Sequence, residues 1–198
     1  TYAQEIIDLV TAKTLKFSTS SSILSTPKMF DDLLFGFYHE KLVATFEPYA
    51  NSTNSRRLII DDKTFFTTPT NDYRKNFLNT STNFMKKYTV NVTDEKDMII
   101  PNIRISEAYY IAAECLYKTA DLMVVLKARG YSSPALSGTM SEEAFWEALL
   151  YEYRKEFIGE GQLIFFFKRT NRPITFSEGN FNHGGKLTLP IPDSESAI

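Results

Sequence analysis

The stretch that organises this chain runs from Thr139 to Arg169 and reads TMSEEAFWEALLYEYRKEFIGEGQLIFFFKR. Thr139 and Ser141 are both candidate helix caps, with Glu142 three residues after Thr139. Glu142 and Glu143 place negative charge at the positive end of the helix dipole, which favours a helix start. Apolar side chains then recur every four residues, at Phe145, Leu149, Tyr153 and Phe157. This spacing predicts a helix with one buried face, and Gly159 and Gly161 are expected to end it. We expect this helix and the apolar run behind it to nucleate the core.

Three carboxylates in this stretch follow one another at four-residue intervals: Glu152, Glu156 and Glu160. Carboxylates on one helix face repel each other unless cations neutralise them. The nearby candidates are Arg154, Lys168 and Arg169. One interpretation treats Glu156 and Glu160 as the paired acids of a glycoside hydrolase. Carboxylate rows are far more often solvated or ion-paired, so we favour that second interpretation.

The length and composition of the chain indicate one globular domain, with 198 residues of which 43% are hydrophobic. Its 22 basic and 24 acidic residues leave a net charge of −2, and no segment is basic enough to follow a nucleic-acid backbone. Nucleic acid is therefore not an expected partner. The single cysteine, Cys115, cannot form an internal disulfide. Because the sequence begins inside a helical pattern and without Met, we expect it to be the C-terminal part of a longer protein.

Three further segments have helical periodicity. Residues 2–16 and 104–118 each place apolar side chains on one face, and residues 120–129 end at Gly130, a favourable C-cap glycine. Small residues in the second segment would let another helix approach closely, as in stacked TPR-like hairpins, although no 34-residue repeat is visible. The sequence therefore predicts a mainly α fold of TPR-like helical hairpins.

Long irregular segments are expected between these hairpins. Residues 45–100 are rich in Asn, Ser, Thr, Pro and Asp, and stretches of this length inside a compact domain are usually functional or packed over another part of the protein. Just before them, residues 31–38 are short and aromatic-rich, which is compatible with a strand or a buried turn. Near the C-terminus, Pro190 and Pro192 rule out a central strand.

Five short motifs follow one another in a fixed order. They are residues 71–74 (NDYR) with 86–88 (KKY), 104–114 (RISEAYYIAAE), 126–130 (LKARG), 153–161 (YRKEFIGEG) with 166–169 (FFKR), and 189–192 (LPIP). In this order they resemble the C-terminal part of the SusD/RagB family, the outer-membrane nutrient-binding lipoproteins of Bacteroidetes. Gln162 and Phe166 depart from the family pattern, in which arginine and aspartate are common at these positions.

The resemblance implies that residues 1–198 are the C-terminal portion of a SusD/RagB-like domain, a SusD-like α/α superhelix. Members of the family bind nutrients and are not enzymes. They lie on the cell surface as lipoproteins and pass glycans or other nutrients to a SusC-like TonB-dependent transporter in the outer membrane. The lipid anchor would lie outside this chain, and no cofactor is implied. The matched motif residues would hold helices together and would not contact ligand.

Candidate ligand residues are aromatic side chains close to Asn, Asp or Arg, because a pyranose presents an apolar C–H face and a rim of hydroxyls. We favour Tyr38, Tyr49 and Asn51 as ligand-binding residues. Other aromatic residues with the same chemistry are Phe37, Phe46, Phe65, Phe66, Tyr73 and Trp146. His39 and His183 stand alone without metal-ligand spacing, so no metal site is expected.

Two other classes of function remain open from the residues alone. A TPR-like adaptor would bind a protein through its helical groove without binding glycans, and it predicts a continuous helical array that residues 45–100 do not support. A glycoside hydrolase would need Glu156 and Glu160 at the edge of a cleft, with the pKa of at least one of them raised.

Overall fold

The computed structural model divides the chain into two compact units, residues 1–159 and residues 160–198. The residues that it describes are 2–19, 30–39, 64–67, 69–79, 81, 84–87, 99–131, 136, 140–176 and 179–181. Helices dominate these ranges, and the strands within them form short antiparallel pairs. The predicted mainly helical fold class is therefore confirmed. Within the same ranges no helix is long and apolar enough to cross a membrane.

The described helices of the larger unit are α1 (Tyr2–Thr11), α2 (Thr64–Thr67), α3 (Ile105–Leu116), α4 (Thr119–Ala128) and α5 (Glu142–Glu156). Helix α5 is the one predicted from the four-residue apolar spacing. The Ser141 side chain caps it by accepting a hydrogen bond from the Ala144 N–H at 3.2 Å. Phe145, Leu149 and Tyr153 are buried, so the apolar row is the face that α5 contributes to the core.

Helix α5 ends at Glu156, three residues before the first glycine that was expected to stop it. Phe157 forms the C-cap, and its N–H donates to the Tyr153 carbonyl at 3.0 Å. Glu160 lies beyond the helix end, so the prediction of three carboxylates on one helical face is wrong. Of the three, only Glu152 and Glu156 belong to α5, where both are buried.

Helix α3 packs against both α1 and α4. Ala108 and Ala113 of α3 are buried, which confirms the expectation that small residues let neighbouring helices approach closely. Tyr117 and Lys118 alone join α3 to α4, and Tyr117 turns the chain with a left-handed φ of 50°. The two helices therefore form a tight hairpin of the predicted kind.

Helix α1 is shorter than the predicted segment 2–16. It ends at Thr11, and Lys13 then takes a left-handed φ of 61°. The chain folds back so that the Leu15 N–H donates to the Leu9 carbonyl at 3.2 Å. Although α1 is strongly amphipathic, none of its side chains is buried. Ile6, Ile7 and Val10 of its apolar face are half-buried, whereas Tyr2 and Leu9 are exposed.

A two-stranded antiparallel sheet crosses the larger unit. Strand β1 (Leu33–Tyr38) pairs with β4 (Ile99–Arg104), with Leu33 opposite Arg104 and Tyr38 opposite Ile99. The segment predicted as a strand or a buried turn is therefore a strand. The register shifts on either side of Phe35, which is the mark of a β-bulge.

Short elements fill part of the region that was predicted to be irregular. They are α2, a 3₁₀ turn at Tyr73–Phe77, and a hairpin of β2 (Leu78–Asn79) and β3 (Phe84–Met85). Phe66, Phe77 and Leu78 pack together as a small buried core. This region is therefore an ordered layer of short elements wherever the structure describes it.

Gly130 fixes the contact between α4 and the 71–73 segment. Its φ of 100° is the left-handed conformation predicted for a C-cap glycine. A Cβ atom there would meet the Asn71 carbonyl oxygen, and it would lie 2.9 Å from the Tyr73 ring. Asn71 Nδ2 donates to the Gly130 carbonyl at 2.6 Å, and the Tyr73 N–H donates to the Arg129 carbonyl at 2.8 Å. Glycine is therefore required at position 130 for two reasons: the left-handed backbone conformation and the close approach of residues 71–73.

The smaller unit contains α6 (Gln162–Thr170) and a hairpin of β5 (Ile174–Phe176) and β6 (Gly179–Phe181). Gly161 precedes α6 with a φ of 77°, and Asn171 ends it with a φ of 52°. The apolar run predicted to join the core is thus helical. Two of its five side chains, Phe166 and Phe167, are buried, whereas Phe165 is exposed.

Candidate functional site

Charged side chains are buried together where α4, α5, β4 and two 3₁₀ turns, Phe30–Asp32 and Tyr73–Phe77, meet. We call them the buried charge cluster: Asp32, Asp72, Arg74, Lys87, Arg104, Arg129, Glu152, Lys155 and Glu156. Each of these nine residues is less than 5% exposed. A buried charge is very costly unless an opposite charge and hydrogen bonds compensate it, so the arrangement of partners decides what the cluster does.

Glu156 is the centre of the cluster. Its Oε1 accepts from Arg104 Nη1 and from Arg129 Nη2, each at 2.6 Å. Its Oε2 accepts from Arg129 Nε at 3.1 Å and from Arg74 Nη1 at 3.3 Å. Its backbone carbonyl, which ends α5, accepts from Arg104 Nη2 at 2.6 Å and from Lys87 Nζ at 2.9 Å. One residue thereby binds side chains from four separate segments of the chain.

These partners decide the protonation state of Glu156. Burial raises its pKa, but the adjacent Arg129 and Arg104 guanidinium groups outweigh burial and hold the pKa well below its usual range. Glu156 therefore stays ionised and enclosed. A glycosidase acid must lie at a cleft and be able to release a proton near neutral pH, so Glu156 does not fit that role.

The prediction that Arg154, Lys168 or Arg169 neutralises the carboxylates of α5 is wrong for Glu156. Arg154 is exposed and lies over the Phe65 ring, with 4.6 Å between its Cζ atom and the ring centroid. Lys168 and Arg169 belong to the smaller unit, where Arg169 Nη1 donates to the Phe165 carbonyl at 3.3 Å. The arginines that bind Glu156 come from distant positions in the sequence.

Asp72 organises a second part of the cluster. It caps the 3₁₀ turn by accepting from the Arg74 N–H at 2.9 Å, and it also accepts from the Arg74 and Lys155 side chains at 2.9–3.0 Å. Burial raises the pKa of Asp72, but the attraction of Arg74 and Lys155 lowers it by a larger amount, so the net shift is downward. Asp72 is therefore a second ionised carboxylate that joins a turn to α5.

Glu152 behaves differently from the other two carboxylates. Its Oε2 lies 2.7 Å from Arg74 Nη2, and the Tyr131 hydroxyl donates to its Oε1 at 3.4 Å. Burial outweighs the attraction of Arg74, so the pKa of Glu152 is raised. Because Glu152 is less than 5% exposed and enclosed with Arg74, we interpret it as part of the packing and not as a catalytic acid.

Asp32 connects the cluster to the first part of the chain. It accepts from the Ser18 N–H and from Arg129 Nη2, and Arg104 Nη1 lies 3.7 Å from its Oδ2. The buried charged residues of the quoted sequence motifs therefore hold one another through ion pairs and hydrogen bonds; they are Asp72, Arg74, Lys87, Arg104, Arg129, Lys155 and Glu156. This confirms the expectation that the motif residues hold helices together, and it leaves the ligand to be sought on the surface.

The exposed aromatic segment of β1 is the strongest surface candidate. Of the three predicted ligand residues, Tyr38 ends β1 and is 59% exposed, whereas Tyr49 and Asn51 lie outside the described residues. Phe35 and Phe37 are also about half exposed, and their rings meet edge to face at 5.1 Å. We define Phe35, Phe37 and Tyr38 as the aromatic segment. Exposed rings of this kind can stack on the C–H face of a sugar.

Most other predicted aromatic candidates that the structure describes belong to the core. Phe66 is buried, and Phe65 and Tyr73 pack beside it. Trp146 is half-buried and packs edge to face on the exposed Tyr117. Phe46 and His183 fall outside the described residues, and His39 is exposed. Among the described residues, no group of three His, Cys, Asp or Glu side chains could hold a metal ion.

The sequence analysis missed an apolar groove between α1 and α3. This α1–α3 groove has a volume of about 580 Å³. Its walls include Tyr2, Ile6, Ile103, Ile111, Cys115 and Leu116. No sequence signal joins two helices that lie a hundred residues apart, although the apolar face of each was visible separately.

Comparisons with known proteins were made by sequence and by structure. No protein-family model matches the chain, and no curated protein matches its sequence. Three solved structures match it: a SusD-like carbohydrate binding protein from Bacteroides vulgatus ATCC 8482, and SusD superfamily proteins from Bacteroides thetaiotaomicron VPI-5482 and Bacteroides fragilis. Their TM-scores are 0.71, 0.64 and 0.61, at sequence identities of 16%, 19% and 22%.

The matches cover nearly all of this chain but only part of the matched proteins. Between 97% and 98% of the present chain is covered, against 51–53% of each solved structure. The chain therefore spans about half the length of the structures it matches. At these identities the likeness is one of fold, and it agrees with the motif order read from the sequence. The chain has a SusD-like fold.

Proposed function

We propose that this chain is part of a cell-surface protein that binds a nutrient glycan and passes it to a SusC-like TonB-dependent transporter. The observation that carries the proposal is the SusD-like fold, matched over 98% of the chain by a SusD-like carbohydrate binding protein with a TM-score of 0.71. The protein would act at the outer membrane and would be held there by a lipid anchor outside these 198 residues.

The aromatic segment supplies a physical basis for glycan binding. A pyranose ring buries its apolar C–H face on an aromatic ring, while its hydroxyls need polar partners around the rim. Tyr38 offers both an exposed ring and a hydroxyl, and Phe37 beside it adds a second exposed ring. Tyr49 and Asn51, which follow β1 in the sequence, remain part of the proposed site.

The proposed role is capture without chemistry. Glu156, the acid on which a hydrolase hypothesis depended, is enclosed by arginines, and its pKa lies well below the usual range. A binding protein for a transporter must release its ligand intact, so an inert surface site suits the role. Any glycan bound by the protein should therefore be recovered with its chain length unchanged.

Calorimetric titration of the full-length protein with a panel of plant and host glycans tests the binding. At least one glycan should bind, and Tyr38→Ala should weaken that binding at least about tenfold, if stacking on this ring contributes as much as the about 1–3 kcal/mol of a ring stacked on an aromatic side chain in other ligand sites. Phe165→Ala is the matched control, because Phe165 is 58% exposed but lies on α6, away from the aromatic segment in sequence. If no glycan on the panel binds, the proposal is contradicted.

A further inference from the structure

A second group of aromatic rings lies at the turn between α3 and α4. The Tyr117 ring meets the Trp146 ring at 5.8 Å, with their planes at 90°, and it meets the Phe145 ring at 5.9 Å. Phe145 is buried, Trp146 is half-buried and Tyr117 is 55% exposed. We call these three residues the turn aromatics, and the proposed function does not use them.

The backbone of Tyr117 has a conformation that is unfavourable for a tyrosine. Its φ of 50° is left-handed, and glycine or asparagine is the usual residue with this conformation at the end of a helix. The turn needs only backbone groups, because the N–H groups of Tyr117 and Lys118 both donate to the Ala113 carbonyl. The turn therefore does not explain an aromatic side chain at this position. Backbone strain of this kind is concentrated at functional sites, ligand sites among them.

The ring of Tyr117 is held in one orientation by its neighbours. Edge-to-face contacts with Phe145 and Trp146 restrict its rotation. A side chain that is already ordered loses little entropy when a ligand stacks on it. More than half of Tyr117 stays in solvent, so these contacts orient the ring without covering it. Because the Tyr117 and Trp146 planes are perpendicular, one flat ligand ring can stack on only one of them.

The polar groups around these rings suit a sugar. Trp146 Nε1 donates to Glu142 Oε1 at 3.4 Å, so a carboxylate lies at the edge of the indole. Glu142 is exposed and this contact uses one of its two oxygens, so the carboxylate can also accept from a sugar hydroxyl. The Tyr117 hydroxyl and the exposed Lys118 beside it supply donors. Aromatic rings also bind cations, but Lys118 would repel a cationic ligand. The mixture of donors and acceptors therefore favours hydroxyl groups.

We propose that the turn aromatics form a second sugar-binding site, which holds one pyranose residue of a glycan. The sugar stacks its C–H face on the Tyr117 ring, and its hydroxyls bond to Glu142 and Lys118. This proposal rests on the proposed function, because it takes the same class of ligand as the aromatic segment. It is nevertheless a separate site, so binding there does not depend on Tyr38.

Fluorine NMR of the full-length protein, labelled with 5-fluorotryptophan, observes this site directly. Trp146 is the single tryptophan of the 198 residues, and its resonance is identified as the one that is absent from Trp146→Phe. At least one glycan of the plant and host panel should shift this resonance, in wild type and in Tyr38→Ala. In Tyr117→Gly the affinity obtained from the shift should fall at least about tenfold, as for a ring stacked on an aromatic side chain in other ligand sites. Phe165→Ala is the matched control, because Phe165 is 58% exposed on α6, and it should behave as wild type.

Thermal unfolding of Tyr117→Gly distinguishes a binding role from a packing role. Glycine adopts a φ of 50° without strain, which offsets the loss of the ring contacts. The Tm of the full-length protein should therefore change by no more than about 4 °C. A larger fall in Tm would assign the Tyr117 ring to packing and would overturn the proposal.

The outcomes of the NMR experiment separate this site from the aromatic segment. If calorimetry detects glycan binding but no glycan shifts the Trp146 resonance, the second site is overturned and the proposed function stands. If no glycan binds by either method, both are contradicted. A shift that Tyr117→Gly leaves unchanged, or that Tyr38→Ala abolishes, would show that the sugar lies elsewhere. A shift caused by tetramethylammonium and by no glycan would assign the rings to a cationic ligand. Each of these last results overturns the proposal.

Discussion

Arg104 binds Glu156 twice, through two different parts of that residue. Its Nη1 donates to the carboxylate Oε1 and its Nη2 donates to the backbone carbonyl, both at 2.6 Å. One guanidinium group therefore neutralises a buried charge and also satisfies a carbonyl at the C-terminus of α5, where no further helical turn is available. The same arginine ends β4 and precedes α3, so the contact joins the sheet to two helices.

Loss of the Glu156 charge should be strongly destabilising. Glu156→Gln leaves Arg74, Arg104 and Arg129 buried without the carboxylate that they share, and breaking a buried ion pair costs about 3–5 kcal/mol. The free energy of unfolding, measured with urea, should fall by that amount. Glu147→Gln is the matched control, because Glu147 lies on the same helix and is exposed. If both variants unfold at the wild-type urea concentration, the cluster does not stabilise the fold.

The stability of the protein should depend on pH through the same carboxylates. Because the folded-state pKa values of Glu156 and Asp72 are lowered, their stabilisation is fully present above the unfolded carboxyl pKa of about 4 and is lost as the pH falls through the folded values. The pKa of Glu152 is raised, so its contribution to stability is present at low pH and is lost as the pH rises through its folded-state pKa. We expect the first two groups to dominate below pH 4.

Urea unfolding of wild type and Glu156→Gln between pH 3 and pH 7 measures this dependence. The difference in unfolding free energy between the two should be constant near neutrality and should shrink below about pH 4, where Glu156 of the unfolded wild-type chain takes up a proton while the folded carboxylate stays ionised. A difference that grows as the pH falls would mean that Glu156 is not the ionised centre of the cluster.

Gly130→Ala should be more destabilising than alanine at another glycine of positive φ, because Gly130 also lies against residues 71–73. The new Cβ would meet the Asn71 carbonyl and the Tyr73 ring in addition to straining a φ of 100°, so we expect a loss of about 3 kcal/mol or more. Gly161→Ala is the matched control, since Gly161 has a φ of 77° but no atom within 4 Å of its Cβ position. That variant should lose only about 1 kcal/mol. Equal losses in thermal or urea unfolding would contradict the contact with residues 71–73.

The helices could be predicted from the sequence because their signals are local. Phe145, Leu149 and Tyr153 repeat every four residues, and that repeat is the buried face of α5. The end of α5 was misplaced because Glu156 is fixed by distant side chains: Arg74 is 82 residues away and Arg104 is 52 residues away. Local spacing carries no information about partners at such distances.

The candidate site could be predicted only in part for the same reason. The sequence does not distinguish a buried aromatic residue from an exposed one. For Tyr38, the pairing of β1 with β4 decides that the side chain is exposed. Tyr38 is exposed as expected, whereas Phe66 from the same set of candidates is core. Phe35 was passed over, although it lies in the same strand as Phe37. The groove required knowledge of how α1 meets α3.

The central claim is capture of a glycan without chemistry, and one measurement tests it most directly. The full-length protein would be incubated with each glycan of the panel, and both the bound fraction and the chain length of the recovered glycan would be determined. The account predicts that at least one glycan is bound and is recovered intact, in wild type and in Phe165→Ala alike. Shortened products, formed by wild type and lost in Glu156→Gln while that variant remains folded, would contradict it.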